Sequence, residues 1–217
     1  MNKVYPFRKL RIVRTCDRQY TDYHMYKSFL KKDFYGRCAY CNLSDKSITT
    51  YFEVEHFVPY KKFEELHPEL KIDYNNLMYS CKKCNQAKSN IHDGDFTTNL
   101  LFYNPVEVDM NKHFYRYRGK IEGKDKKAKK QIIQLKQYRP IYRLAWIVEK
   151  LQEQIEMLTE KMNKEKDVDK KRCYKTLIIR LNVVRNKYNT VFIACYKEDD
   201  EDGKEIIERE LSTSVIM

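Results

Sequence analysis

The chain has 217 residues, with 43 Lys plus Arg against 31 Asp plus Glu, and its formal net charge is +12. This length suits one domain or one domain with an appendage, and a hydrophobic fraction of 42% is enough for a core. No apolar run approaches the ~18 residues of a membrane span, and the first residues lack the apolar stretch of a secretory signal. We therefore expect a cytoplasmic protein without a membrane partner, whose cationic excess favours nucleic acid.

The first predicted element is a helix with an aromatic face, because its apolar residues recur every three or four positions: Tyr20, Tyr23, Tyr26 and Leu30. Residues 38–90 are expected to form short strands, turns and a final helix, and residues 114–121 a small hairpin. From Lys124 onward the chain is expected to be helical, with Pro140 separating one helix from the next.

Two apolar seams with spacings of three and four residues follow, which predicts a pair of packed helices. The seams are Leu144, Val148, Leu151, Ile155, Leu158 and Met162, then Tyr174, Leu177, Leu181, Val184, Tyr188, Val191 and Cys195. The polar residues 163–169 are the expected turn between them. Residues 198–217 carry eight acids against Lys204 and Arg209, which predicts a mobile acidic tail.

The strongest chemical signal is a pair of Cys-x-x-Cys knuckles, Cys38 with Cys41 and Cys81 with Cys84. Four thiolates complete the tetrahedral coordination of a structural Zn²⁺, and cytoplasmic cysteines serve as metal ligands or free thiols more often than as disulfides. The pairs of a zinc ribbon are usually ~15–20 residues apart. Here residues 42–80 separate them, so we expect a functional insert between the knuckles.

The insert and its flanks contain three further elements in a fixed order: Glu55-His56, Asn76-Leu77, and Cys84-Asn85 with Lys88 three positions later. Together with both knuckles, they resemble the HNH nucleases, also called ββα-metal or His-Me finger nucleases. The resemblance covers residues 38–90. It implies a zinc-knuckled ββα-metal core. With the helices predicted from the apolar spacings, the expected fold is α+β, with an N-terminal helix before this core and a C-terminal helical hairpin after it.

The resemblance also implies roles for five residues in metal-dependent phosphodiester hydrolysis. His56 would take a proton from water, for which its ordinary pKa of ~6.5 is suited. Glu55 and Asn85 would hold a catalytic Mg²⁺ or Mn²⁺ through oxygen atoms. Asn76 would pin the backbone of the His-bearing loop, and Lys88 would contact a phosphate.

Alternatives remain open at each of these positions. Glu53 competes with Glu55, because strand alternation would put both carboxylates on the face opposite His56. The adjacent residues Glu55 and His56 can serve one site only if the strand end is irregular, which the nearby Pro59 permits. Asn75 competes with Asn76. The plain interpretations are that Asn85 caps a helix and that Lys88 is a solvated surface cation.

The expected function is an HNH endonuclease that cuts nucleic acid, with DNA favoured over RNA. Residues 101–105 and 113–114 loosely resemble a segment of small HNH nucleases of bacterial anti-phage defence, some of which act with a separate ATPase. The alternatives are an RNA- or tRNA-cleaving HNH nuclease and a non-catalytic, zinc-dependent nucleic-acid-binding protein.

The expected domains are an HNH nuclease domain at residues 1–123, a helical assembly region at 124–197 and the acidic tail at 198–217. Apolar residues also lie off the two seams of the helical region. Residues 141–197 are therefore expected to bind a second copy of the chain or a regulatory ATPase.

Overall fold

The computed structural model describes residues 4–48, 50–197 and 201–212. The chain divides into two compact units, residues 1–138 and 139–217. The sequence led us to expect a boundary at 123/124, which would have placed the next helix in the second unit. Gly123 accounts for the difference, because a Cβ atom there would lie 2.8 Å from the backbone nitrogen of Lys129. That helix therefore packs directly on the strand before it.

The described residues form five strands and eight α-helices, which confirms the α+β class. The strands are β1 (Val4–Pro6), β2 (Glu53–His56), β3 (Leu77–Ser80), β4 (Phe114–Tyr117) and β5 (Lys120–Gly123). The helices are α1 (Lys27–Asp33), α2 (Tyr60–Phe63), α3 (Lys82–Lys88), α4 (Met110–His113), α5 (Lys126–Gln134), α6 (Pro140–Lys164), α7 (Val168–Lys197) and α8 (Glu201–Ser212). Short 3₁₀ helices span Tyr23–Tyr26, Asp45–Ser47, Pro68–Lys71 and Tyr74–Asn76.

The predicted N-terminal helix is present as a 3₁₀ turn that runs directly into α1. Asp22 begins it, because its carboxylate accepts a hydrogen bond from the backbone N–H of His24 at 2.9 Å. Leu30 is fully buried, and Tyr26 packs its ring against Tyr20 and Tyr74. The aromatic face of this helix thus forms part of the core of the first unit.

The segment between the knuckles folds as two antiparallel strands followed by a helix. In β2 and β3, Glu53 lies opposite Ser80 and His56 lies opposite Leu77. All four residues of β3 are buried, and α3 begins two residues after its end and contacts β2. This ββα arrangement is the one predicted for residues 38–90.

A three-stranded antiparallel sheet in the order β1-β4-β5 forms the rest of the β-structure of the described residues. The turn between β4 and β5 contains Arg118 and Gly119, whose φ angles are 49° and 81°. Two consecutive left-handed residues are the requirement of a type I′ turn, which suits the twist of a two-residue hairpin. The hairpin predicted at residues 114–121 is therefore confirmed.

In the second unit, α6 and α7 pack along each other and are joined by the short turn at residues 165–167. Pro140 begins α6 in its first turn, where a missing N–H costs nothing. The predicted seams supply buried residues, among them Leu151, Ile155 and Tyr188. The helical hairpin is confirmed. No helix in the described ranges has both the length and the apolar character needed to traverse a bilayer.

The acidic C-terminal segment corrects one expectation, because residues 201–212 form helix α8 rather than a mobile tail. Helix α8 packs against α6 and α7, with Ile207 and Leu211 only 2% and 3% exposed. These two residues lie one turn apart on the face that is buried. The ammonium of Lys187 lies 2.7 Å from the carboxylate of Glu210. The rest of the predicted tail, residues 198–200 and 213–217, lies outside the described residues.

Candidate active site and zinc site

The four knuckle cysteines converge on one point. Their Sγ atoms all lie within 4.8 Å of one another, and all four side chains are buried. The Sγ atoms of Cys41 and Cys81 are 3.8 Å apart. A tetrahedral Zn²⁺ with Zn–S bonds of about 2.3 Å would separate its sulfur ligands by about 3.8 Å. The arrangement therefore fits a structural zinc ion held by Cys38, Cys41, Cys81 and Cys84.

Two arginines from outside residues 38–90 hold the first knuckle in place. Arg8 donates to the carbonyl oxygens of Cys38 and Ala39 at 3.1 and 2.8 Å, and Arg116 on β4 donates to that of Cys41 at 2.9 Å. Burial lowers the pKa of Arg8 to about 10, which leaves its guanidinium charged at neutral pH. Because four thiolates around Zn²⁺ carry net negative charge, these two cations stabilise the site electrostatically.

The side chains of β2 alternate between two faces up to the end of the strand. The amide nitrogen of Asn85 donates to Glu53 Oε2 at 2.7 Å, and the ammonium of Lys88 lies 2.5 Å from Glu55 Oε1. Both glutamates therefore face helix α3. The irregular strand end that the sequence seemed to require is absent, since His56 is still paired within the sheet.

His56 is held in one orientation by the backbone. Its Nε2 atom lies 2.9 Å from the carbonyl oxygen of Lys71. Since a carbonyl only accepts, Nε2 carries the proton and Nδ1 carries the lone pair in the neutral ring. The rings of Tyr23 and Tyr60 pack against the imidazole with centroid distances of 4.8 and 4.7 Å. Burial lowers the pKa of His56 below its usual value, which keeps the ring in the neutral form that a general base needs.

Asn76 connects two backbone segments that follow this histidine. Its Oδ1 accepts from the backbone N–H of Val58 at 2.8 Å, while its Nδ2 donates to the carbonyl oxygens of Val58 and Leu70 at 2.9 Å each. Asn76 is buried, whereas the competing Asn75 is exposed. Leu70, the residue before Lys71, is thus connected through Asn76 to the loop that follows His56. In this way Asn76 helps to position the Lys71 carbonyl, which orients the imidazole.

Lys88 has a different environment from the one expected of a phosphate ligand. It is fully buried, and its ammonium donates to the carbonyl oxygen of His56 at 2.8 Å in addition to its ion pair with Glu55. Phe102 lies against the same ammonium at 5.9 Å. A direct phosphate contact would require this side chain to leave its site. Breaking such a buried pair by removing one partner costs about 3–5 kcal/mol.

Glu55, His56 and Asn85 line one cleft of about 360 Å³. An ionised carboxylate offers about four acceptor positions, and Glu55 uses one for Lys88 and one for the hydroxyl of Tyr40. Its remaining positions, together with the amide oxygen of Asn85, suit a hard divalent cation such as Mg²⁺ or Mn²⁺. Glu53 is the second carboxylate within reach of Asn85, so the structure keeps both glutamates as candidate ligands.

Sequence reasoning gave no role at the site to Tyr40, Tyr23 or Tyr60. Tyr40 lies inside the first knuckle and is fully buried. Its hydroxyl donates a hydrogen bond to Glu55. The ring contacts around His56 join segments that are far apart in sequence. Contacts of this kind carry no spacing signal, because they depend on how separate segments pack and not on a local period.

Comparison with known families agrees with this class of site. The family model described as HNH endonuclease matches residues 38–90. That range contains both cysteine knuckles, β2, β3 and α3. The resemblance inferred from the motifs is therefore confirmed for this part of the chain.

Among curated proteins, the chain is similar to two that are named Septu protein PtuB. The one from Bacillus mycoides (strain KBAB4) is 34% identical over 131 residues, which cover 49% of this chain and 44% of the relative. The one from Bacillus thuringiensis is 32% identical over 94 residues, which cover 43% of this chain and 34% of the relative. The matched region thus spans less than half the length of either relative. No solved structure gives a significant match.

Proposed function

We propose that this protein is a metal-dependent HNH endonuclease that hydrolyses phosphodiester bonds, with DNA as its favoured substrate. The observation that carries the proposal is the shared cleft of Glu55, His56 and Asn85, in which β2 supplies the base and one oxygen ligand and α3 supplies the second ligand. A protein that only binds nucleic acid has no need of an imidazole with a fixed tautomer beside such ligands.

In this proposal, Nδ1 of His56 takes the proton of the attacking water, since Nε2 is bonded to the Lys71 carbonyl. Asn76 keeps that carbonyl and the loop after His56 in register through its three hydrogen bonds. Glu55 and Asn85 hold the catalytic cation, with Glu53 as the rival carboxylate. A bound Mg²⁺ or Mn²⁺ supplies Lewis-acid stabilisation of the negative charge that develops on the phosphate.

Cleavage assays with two substrate classes test this function. Zinc-loaded protein is expected to nick plasmid DNA when Mg²⁺ or Mn²⁺ is added, and to leave it intact when neither is present. Total tRNA serves as the parallel substrate. Cutting of tRNA alone would establish the RNA-cleaving alternative. Retarded migration of nucleic acid with no cutting under any metal would instead establish a zinc-dependent binding protein.

We further propose that the nuclease is a cytoplasmic effector of anti-phage defence, on the basis of its similarity to the two Septu proteins. The relatives are longer than the matched region, so this role rests on that region alone. A nuclease that acts in defence must be restrained in an uninfected cell. A docked partner, either a second copy or a regulatory ATPase, provides such restraint.

The proposed assembly surface lies on α7. Ile179 and Val183, one turn apart, are 55% and 65% exposed. Large aliphatic residues placed together on an exposed helix face favour a protein partner. Phe192, an apolar residue of α7 that is not one of the seam residues, is buried within the unit. The proposed assembly surface therefore includes fewer of the apolar residues off the seams than the sequence had indicated.

Replacing Ile179 and Val183 together by glutamate is expected to abolish assembly while leaving the helical content unchanged, because both side chains point to solvent. Light scattering on the full chain, alone and mixed with an ATPase encoded beside it, measures the stoichiometry. Lys170→Glu, on the opposite face of α7, is the matched control. A monomer in every mixture, with no difference among the three proteins, would show that this surface has no partner.

A further inference from the structure

A chain of buried polar contacts connects the zinc knuckle to the candidate catalytic strand. It starts at Tyr40, which lies between the two cysteines of the first knuckle and donates its hydroxyl to Glu55 Oε2. The other carboxylate oxygen, Oε1, meets the ammonium of Lys88 at 2.5 Å. Lys88 in turn donates to the backbone carbonyl of His56 at 2.8 Å. All four residues are buried.

Each contact in this chain restricts a group that the proposed reaction uses. Tyr40 and Lys88 together hold both oxygens of Glu55, so the carboxylate cannot rotate without losing a charged or neutral hydrogen bond in a region of low dielectric. Lys88 also fixes the peptide plane of His56 from the side of α3. The Lys71 carbonyl fixes the imidazole through Nε2. Backbone and side chain of His56 are thus held independently.

The position of Tyr40 gives this chain its anchor. The backbone N–H of the preceding residue, Ala39, donates to the carbonyl of Tyr79 on β3 at 2.8 Å. Arg8 holds the carbonyls of Cys38 and Ala39. The ring of Tyr40 therefore projects from a backbone that three hydrogen bonds hold in place. Its hydroxyl is a rigid donor, placed by the same knuckle that supplies two zinc ligands.

We propose that Tyr40 and Lys88 are positioning residues, which fix Glu55 and His56 relative to the zinc knuckle and do not touch the nucleic acid. This inference rests on the proposed nuclease function, which it deepens. It gives the zinc site a second role, since the knuckle then sets the geometry of the cleft as well as stabilising the fold. It also replaces the phosphate contact expected of Lys88 by an internal one.

Tyr40→Phe is the sharpest test, because it removes one hydroxyl and keeps the ring that fills the core. Loss of a partner that orients a metal ligand typically costs 10–100-fold in metal affinity or activity. The variant is therefore expected to need about 10–100 times more Mn²⁺, both for binding measured by electron paramagnetic resonance and for half-maximal cleavage. Zinc content and the KM for nucleic acid should match those of the wild type.

Tyr79→Phe is the matched control. Its hydroxyl also donates to a carboxylate, that of Asp45, at 2.9 Å within the same unit. If Tyr40→Phe and Tyr79→Phe have the same Mn²⁺ affinity and the same kcat, the positioning role is refuted while the nuclease function stands. If Tyr40→Phe weakens Mn²⁺ binding but not even the wild type cuts, the positioning role stands and the nuclease function fails.

Lys88→Met separates positioning from phosphate binding. A positioning role predicts a lower kcat with an unchanged Kd for uncut nucleic acid and an unchanged dependence of that Kd on salt. A phosphate ligand predicts the reverse, with weaker binding and a salt slope reduced by about one phosphate contact. Lys88→Met alone leaves the buried carboxylate of Glu55 without its cation, and this variant could fail to fold for that reason. In that case the double variant Glu55→Gln with Lys88→Met is used, because it also removes the charge of Glu55. Its Kd gives the same comparison.

Discussion

His56→Ala is expected to lower the rate of cleavage by at least about 10²–10⁴-fold, the usual contribution of a positioned general base. The structure assigns the lone pair to Nδ1, because Nε2 donates to the Lys71 carbonyl. Among the residues that the structure describes, His56 provides the only imidazole that lines the cleft. The measurement is the rate of nicking of plasmid DNA under saturating Mg²⁺ or Mn²⁺, with binding followed separately by fluorescence anisotropy.

Binding of nucleic acid and the fold should survive this change, because the contacts of Lys88 and Asn76 in this region are made to the backbone of residues 56 and 58 and not to the imidazole. His67→Ala is a suitable control, since His67 pairs with Glu69 outside the cleft. Cleavage by His56→Ala at the wild-type rate would assign the base to another group. Loss of cleavage in both variants would point to a general effect on folding.

The fold was predictable where local patterns carry its signal. The two left-handed positions at Arg118 and Gly119 and the helix start at Pro140 follow from turn and backbone chemistry over a few residues. Helix α8 was missed because the charge composition of residues 198–217 dominated the interpretation. Its two buried residues, Ile207 and Leu211, form too short a stripe to stand out beside eight acids.

The same distinction applies to the candidate site. The cysteine spacing predicted the cluster, and the role given to Asn76 agrees with its three bonds to the backbone. The burial of Lys88 was not predictable, because it depends on Phe102 and Glu55, which come from other segments. The pairing of Asn85 with Glu53 likewise needs the relative position of α3 and β2. Sequence motifs identify the residues of the site, whereas packing between distant segments determines which of these residues are in contact.

Glu53 and Glu55 illustrate what this packing adds. Both face α3, as strand alternation predicted, but their surroundings differ. Glu55 is 4% exposed and holds a cation, while Glu53 is half-buried and holds an amide. An amide is easier to displace than an ammonium in a buried ion pair. Glu55 is therefore the more firmly held carboxylate, and Glu53 is the one that is more easily freed.

Removal of zinc is expected to have the largest effect on the protein as a whole. Binding of a structural Zn²⁺ contributes about 10–16 kcal/mol in small zinc-finger domains at neutral pH. The total stability of a typical domain is about 5–15 kcal/mol. Cys38→Ser and Cys81→Ser, which each remove one ligand from a different knuckle, should therefore leave the first unit unfolded. Zinc content by mass spectrometry and thermal unfolding by circular dichroism measure this.

The loss should be selective for the first unit, since the four cysteines all lie within residues 1–138. In circular dichroism, a variant that loses zinc is expected to lose the strand contribution of β2 and β3. It should keep the helical contribution of residues 139–217. Cys173→Ser, at an exposed position on α7, is the control and should retain one zinc per chain and wild-type stability. Folded wild-type protein without any bound zinc would overturn the assignment. The four thiols would then be only buried core residues, and Tyr40 would lose the metal-held anchor on which the arrangement of the cleft depends.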